Sequence, residues 1–484
     1  MLAARIVTDE AVMASLLIQG RALSAEAHSE LTFHQLDFAR LWFAYFNAAD
    51  GGEGGDFGDK RGRNFMGQKS FQEKALYAIA TDGDRLVGIA PLVVTRVERK
   101  GKPSMKVLGF CADSVQVFYQ DLLISPEHRE AAVTAMLDAL CAYVEAEGLL
   151  LFLGYLPKTS ANLPYLARGV EKRLAEGWTG GIAVTQSRGG VYPWNIHPLC
   201  KVLGQLREKI GEKDAADPDL AVLGGLMERL EQQTSALLLF GATRNAFDKE
   251  ARALAEKYGN REDTREIAAE IVPSISAVLI KYPYLDLPAT REEYQESLSS
   301  SKRYWFRRYL KKYEEAGGSF EVIEPGSLTD ADVDDYLRLH TERWGKDSIA
   351  VNAVTLGFHR ELVMTLSKAG SFRLFFARQG DRRLAAHACF DIAGRREYFF
   401  GGRTLDSEEL RAGKLLVMHT LLDAIDRGYK TYDFGYGGDE YKADFTKAHK
   451  HSRNVFLCKD ASLFDPEGLF AKYEQMNFDP AALT

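Results

Sequence analysis

Arg403, Arg411, Gly413 and Lys414 put three cations and a glycine around the expected start of one helix in the last third of the chain. Backbone N–H groups at a helix N-terminus, and the dipole behind them, favour an anion, so the grouping points to phosphate binding. Glu408 and Glu409 are ordinary acids for a helix start and would oppose a phosphate if they faced it. Further on, Asp433 ends a short aromatic strand, where a carboxylate is often desolvated and able to hold a proton. Its alternative role is to cap the turn at Gly435 through backbone N–H groups. His387 lies on an otherwise apolar strand, either as a general base or as a satisfied core histidine. Lys442 stands beside Asp439 and Glu440, ready-made partners for a surface ion pair. Tyr436, Tyr441 and Trp344 are the aromatic candidates for contact with a substrate, and Trp344 is equally suited to core packing. Cys111, Cys141, Cys200, Cys389 and Cys458 are scattered without CxxC spacing, so neither a disulfide framework nor a thiolate metal site is expected.

These residues need a frame. An aromatic strand at 398–400 runs into Gly401-Gly402, then a polar loop, an amphipathic helix at about 407–427 stopped by Gly428, a strand at 430–434 and the turn Gly435-Tyr436-Gly437-Gly438. Strand, loop, helix start and second strand enclose an anion-binding crevice. The hairpin feeding it, 372–392, turns at Gly380-Asp381. An earlier hairpin, 75–81 and 85–95, turns at Asp82-Gly83, and Pro91 implies a bulge or an edge in its second arm. Residues 1–50 read as helical, and the glycine-rich 49–63 as a loop. Both hairpins lead to a helix ended by glycine (Gly148, Gly428) and then a strand, which makes an internal repeat. The second copy carries His387 where the first has Ile89, and Asp433-Phe434-Gly435 where the first has Leu153-Gly154. Polar groups on apolar strands are costly unless used, so the second copy is expected to be the active one.

A chain of 484 residues exceeds one core. The expected fold class is α/β (α+β): two tandem mixed-sheet domains, 1–195 and 276–484, with a helical insertion at 196–275 between them. A helix at about 291–316 concentrates Lys302, Arg303, Arg307, Arg308, Lys311 and Lys312, as a solvated face or a phosphate-contacting one. A net charge of −7 disfavours bulk electrostatic binding of nucleic acid, and DNA is not expected as a partner. No apolar run approaches a membrane span, no signal peptide is evident, and the cytoplasm is the expected compartment.

The order of Pro91-Leu92, Leu108-Gly109-Phe110, Tyr282-Pro-Tyr-Leu-Asp-Leu-Pro288, the basic helix, and Gly428-Tyr-Lys-Thr-Tyr-Asp-Phe-Gly435 with Tyr441-Lys442 resembles GNAT-fold N-acyltransferases, nearest the FemABX-like and CelD-like tandem acetyltransferases of bacteria. The resemblance covers about 31–192 and 282–457. It implies transfer from acetyl-CoA or another acyl-CoA to a small-molecule, peptide or glycan amine, without metal, in cell-envelope or polysaccharide metabolism. The amine attacks the thioester directly, in keeping with the lack of a nucleophilic Ser or Cys constellation. Arg403, Arg411, Gly413 and Lys414 would bind the donor, Asp433 and His387 handle the proton, and Lys442 balance oxyanion or phosphate charge. Leu410-Arg-Ala-Gly-Lys-Leu415 keeps only the central glycine of the family's Arg/Gln-x-x-Gly-x-Gly/Ala motif. Two alternatives stand beside this reading: an aminoacyl-tRNA donor, as in the FemABX branch, and a non-catalytic assembly protein on the same scaffold.

Overall fold

The computed structural model describes residues 2–46, 70–99, 102–112, 118–184, 282–345, 348–349, 353–435, 440–450 and 452–463. The expected insertion at 196–275, the loop at 49–63 and Tyr436 lie outside these residues.

Two mixed sheets carry the same winding. In the first half, β2 (Ser70–Asp82), β3 (Arg85–Arg99) and β4 (Lys102–Phe110) form an antiparallel meander. Helix α3 (Arg129–Glu147) then returns the chain so that β6 (Leu150–Pro157) runs parallel to β4. In the second half, β10 (Phe372–Gln379), β11 (Arg382–Ile392) and β12 (Arg395–Arg403) repeat the meander. The last helix, α9 (Ala412–Asp426), brings β13 (Thr431–Asp433) parallel to β12. The crossovers turn sharply because Gly148 and Gly428, at φ +63° and +72°, take left-handed conformations costly for a residue with a Cβ. The tandem mixed-sheet architecture expected from the repeat is present.

Three boundaries differ from expectation. Residues 2–7 are not helical but form β1 (Leu2–Val7), which pairs with β2 from Leu2–Asp82 to Val7–Tyr77. The expected helix at 407–427 is a 3-10 turn (Leu405–Leu410) followed by α9, broken at Arg411, whose φ is +55°. The basic helix is likewise two: α5 (Arg291–Ser297), then extended Leu298, then α6 (Ser300–Glu315), capped by the Ser299 hydroxyl accepting from the Lys302 N–H. Pro91 is neither bulged nor at an edge. It pairs with Tyr77 just beyond the end of the β3–β4 ladder, where its missing N–H leaves no rung empty.

One strand crosses the division expected at 276. The first sheet runs β1-β2-β3-β4-β6-β15-β7, with β15 (Ser452–Cys458) between β6 and β7 (Thr179–Val184). The second runs β14-β8-β13-β12-β11-β10-β9, with β8 (Tyr282–Asp286) between β13 and β14 (His449–Lys450), and β9 (Gly318–Ile323) at the far edge. β8 stays in the sheet of its own 276–484 unit, whereas β15, from that same unit, completes the sheet of the first half. All seven residues of β15 are buried, so the first sheet is unfinished without residues counted in the 276–484 unit.

The halves also share an interior. Phe38 and Phe46 of α2 (Leu36–Phe46) meet Phe358 of α8 (Ala353–Lys368) with ring centroids 5.8 and 5.0 Å apart, and the Tyr45 hydroxyl donates to Glu361 at 2.9 Å. A second core lies on the other face of the second sheet, under α6 and α9. There α9 buries Leu415, Leu416, Leu421 and Ile425, each worth about 1.5–3 kcal/mol by area.

Candidate active site

The rung joining Glu397 to Asp433 is the last between β12 and β13. On the other side of β12 the register slips: Cys389 faces Tyr398 and Ala388 faces Phe400, leaving Phe399 as an extra, bulged residue. Beyond Glu397, then, β12 has no partner on the β13 side, while its ladder with β11 continues through the bulge. Helix α9 lies antiparallel along this strand. At one end, Arg396 donates to the carbonyl of Thr420 at 2.8 Å and to Asp423 at 2.7 Å. At the other, the Arg403 stem passes 3.3 Å from where a Cβ on Gly413 would stand. The seven residues from Glu397 to Arg403 make a crevice about 20 Å long, six steps of ~3.3 Å.

The outer end of the crevice is cationic. Arg403 and Arg411 both ion-pair with Glu408, and Lys302 and Lys414 both pair with Asp444. Each carboxylate serves two cations, which leaves positive charge for an incoming anion beside the first-turn N–H groups of α9. Glu408 thus stands as a bridge between the arginines and not as the repelling acid envisaged from the sequence. Helix α6 walls this end with Lys302, Trp305, Tyr309 and Lys312, one face at helical spacing. The Lys414 ammonium lies 4.1 Å from the Trp305 ring centroid, Arg411 lies 5.9 Å from that of Tyr309, and Lys312 donates to the carbonyl of Glu409 at 3.3 Å. The four residues expected to bind an anion are therefore brought together.

The inner end holds a buried charge cluster between the halves. Asp433 is fully buried and accepts from Arg395 (3.0 Å), from the hydroxyl of Tyr119 in the first half (3.0 Å) and from the N–H of Gly435 (2.9 Å). The turn-capping role is realised, and the same carboxylate tethers the two halves. Arg395 also reaches Glu397 at 2.8 Å and donates to the carbonyl of Glu30 at 3.0 Å. Burial pushes the Glu397 carboxyl up to about 7, opposed by the Arg395 charge and reinforced by Asp433. Sequence reasoning passed over Glu397, Arg395 and Tyr119. The available signal was RRE at the mouth of the strand YFF, three charges where an apolar run was due.

The remaining candidates are dispersed. His387 faces the α9 side of the sheet, its ring 4.9 Å from that of Tyr398, with Nδ1 bonded to no described residue. Burial lowers its pKa to about 3, so the imidazole is neutral at pH 7 and a poor general base. Trp344 closes α7 (Asp330–Trp344), half exposed, and its indole N–H donates to the carbonyl of Gly401 at 2.9 Å. Tyr441 packs against the second core, and Lys442 is buried, its carbonyl accepting the N–H groups of Phe445 and Thr446. Asp439, one partner considered for Lys442 in a surface ion pair, lies outside the described residues. Tyr436 lies outside the described residues.

The matching crevice of the first half is occupied by its own chain. Past the last β4–β6 rung, Gly109–Phe152, the Gln120 amide donates to the carbonyl of Ala112 at 2.5 Å while its backbone N–H donates to the carbonyl of Tyr155 at 3.1 Å. Gln120 bridges the two strands where they part. Among the described residues no group of three or more His, Cys, Asp or Glu side chains could hold a metal ion, and no helix is long and apolar enough to cross a membrane.

Residues 300–443, from α6 through the far wall of the crevice, match the family model described as an acetyltransferase (GNAT) domain. No curated protein matches the chain. Solved structures that align with it include L-PGS from Bacillus licheniformis, 8% identical, with 85% of this chain and 90% of that one covered at a TM-score of 0.39. FemX aligns at 9% identity over 87% of this chain and 95% of its own, TM-score 0.41. A tandem GNAT protein from the clavulanic acid biosynthesis pathway aligns at 11% identity over 94% and 98%, TM-score 0.31.

Proposed function

We propose that the acetyltransferase (GNAT) domain at residues 300–443 moves an acyl group from an acyl-CoA to an amine borne by a small molecule, peptide or glycan. One observation carries the reading: β12 loses its β13 neighbour beyond Glu397 and bulges at Phe399, at one end of a cleft whose other end is a helix N-terminus ringed by Arg403, Arg411, Lys302 and Lys414. The donor's phosphates lie on the first turn of α9, and its pantetheine arm follows β12. The thioester carbonyl then reaches the bulge, where backbone N–H groups stabilise the oxyanion. The amine nitrogen bonds to the carbonyl carbon, the C–S bond breaks, and the thiolate leaves. Glu397 takes the amine's proton through water. It stands at the parting of the strands, and a carboxyl poised at about 7 suits proton transfer near neutrality. Asp433, first expected in that role, holds Arg395 and the Gly435 turn in place, and neutral His387 lines the wall behind Tyr398. Tyr441 and Trp344 flank the cleft, and Lys442 supports the turn below it.

Calorimetric titration with acetyl-CoA and CoA tests the donor. Lys414→Ala is expected to weaken both about tenfold or more, since one hydrogen bond to a charged group is worth ~1.5–3 kcal/mol. Failure of the wild type to bind any acyl-CoA at millimolar concentration would overturn the proposal.

A second reading, an aminoacyl-tRNA donor, is favoured by the outward face of α6. Tyr304, Arg307, Arg308 and Lys311 are exposed there, opposite the face that walls the crevice. Charge reversal at Arg307 and Arg308 should abolish retention of tRNA in a gel-shift assay if that reading holds, and unchanged retention sinks it.

A further inference from the structure

We infer that Phe118, a residue of the first half, closes the inner end of the second half's crevice and limits the length of acyl group accepted there. The inference rests on the acyl-donor reading. A donor anchored by its phosphates at Arg403 and Gly413 and extended along β12 delivers its acyl group to the Glu397–Asp433 rung, where the strands part.

Phe118 meets the crevice at that point from the side opposite α9. It belongs to the core shared with the first half, whereas α9 lies in the other core. Its ring lies on the backbone of Gly435, at φ +67°, so closely that any Cβ there would collide with it. The Phe399 ring, on the bulged residue, is 6.3 Å away. Only 4% of Phe118 is exposed, and its position is fixed by the next residue. The Tyr119 hydroxyl donates to Asp433 at 3.0 Å, and its ring sits 4.7 Å from that of Tyr282 in β8. A gap between strands, which a sheet leaves unfilled, is thus stopped by an aromatic ring held on a rigid anchor. Shortening the ring opens room for methylenes, and each one buried is worth about fourfold in affinity.

The test uses the full chain with Phe118→Ala, Phe118→Leu and Phe118→Trp, titrated calorimetrically with acetyl-, butyryl- and hexanoyl-CoA. The hexanoyl-to-acetyl affinity ratio is expected to rise at least tenfold in the alanine variant, less in the leucine variant, and to fall in the tryptophan variant. A merely structural role would weaken all three ligands alike and leave the ratio unmoved. An unmoved ratio across variants that bind CoA overturns the inference and leaves the donor reading standing. If the wild type binds no acyl-CoA, both fall together. Should the alanine variant lose its cooperative melt, the leucine and tryptophan variants decide the matter by the same ratio.

Discussion

One terminal nitrogen of Arg395 is shared by Glu397 at 2.8 Å and Asp433 at 3.0 Å, inside the seam between the halves. Two carboxylates on one guanidinium nitrogen in a dry site cannot both ionise cheaply. The Glu397 carboxyl is raised from an ordinary 4.5 to about 7, with burial as the leading cause. A carboxyl raised by folding binds more protons in the native than in the unfolded chain between those two values. Its contribution is therefore complete below about pH 4.5 and is lost as pH climbs through 7, by on the order of 3 kcal/mol at most, at 1.36 kcal/mol per unit. Glu397→Gln, neutral throughout, should flatten the dependence of Tm on pH between 5 and 8, and a slope equal to that of the wild type would refute this account. None of it was readable from local spacing. Asp433 drew notice because it ends an aromatic strand, but its partner Tyr119 lies more than 300 residues upstream in the other repeat. Only tertiary proximity distinguishes a shared guanidinium from two exposed charges.

Elements were more legible where their cause is local. The turns at Asp82-Gly83 and Gly380-Asp381, and the glycines that end α3 and α9, announced the repeated unit because a left-handed residue must be glycine or nearly so. The start of α9 was misjudged by several residues. A 3-10 turn and an α-helix share similar polar and apolar alternation, and only the positive φ of Arg411 separates them. Gly402 had been noted as half of a glycine pair without its reason. A Cβ there would collide with the backbone of α7 at Leu339 and His340, so the glycine lets that helix lie directly on β12. Gly402→Ala should push α7 outward and destabilise the protein by about 1–3 kcal/mol, the usual cost of overpacking. A urea titration measures it, and Trp344 emission should change with it as the indole bond to Gly401 loosens. A full-strength midpoint in the variant would contradict the close approach.

For the whole molecule the placement of β15 in the first sheet matters most. A short apolar strand carries no address, so nothing in Ser452–Cys458 said which sheet would take it. Val455, fully buried opposite Leu153 and Ile182, should on conversion to Asp strip hydrogen-exchange protection from β6 and β7. Loss confined to the neighbourhood of residue 455 would argue that the first sheet closes without it. The same topology has a consequence for the ribosome. The rung between Phe152 and Phe456 joins residues about 300 apart in sequence, so at 5–20 residues per second roughly 15–60 s of translation separate their emergence. Throughout that interval the N-terminal half is synthesised yet incapable of finishing its sheet, with the edges of β6 and β7 unpaired. Two strand edges therefore stay open to wrong pairing for that time, and slowing elongation should lower the yield of folded protein.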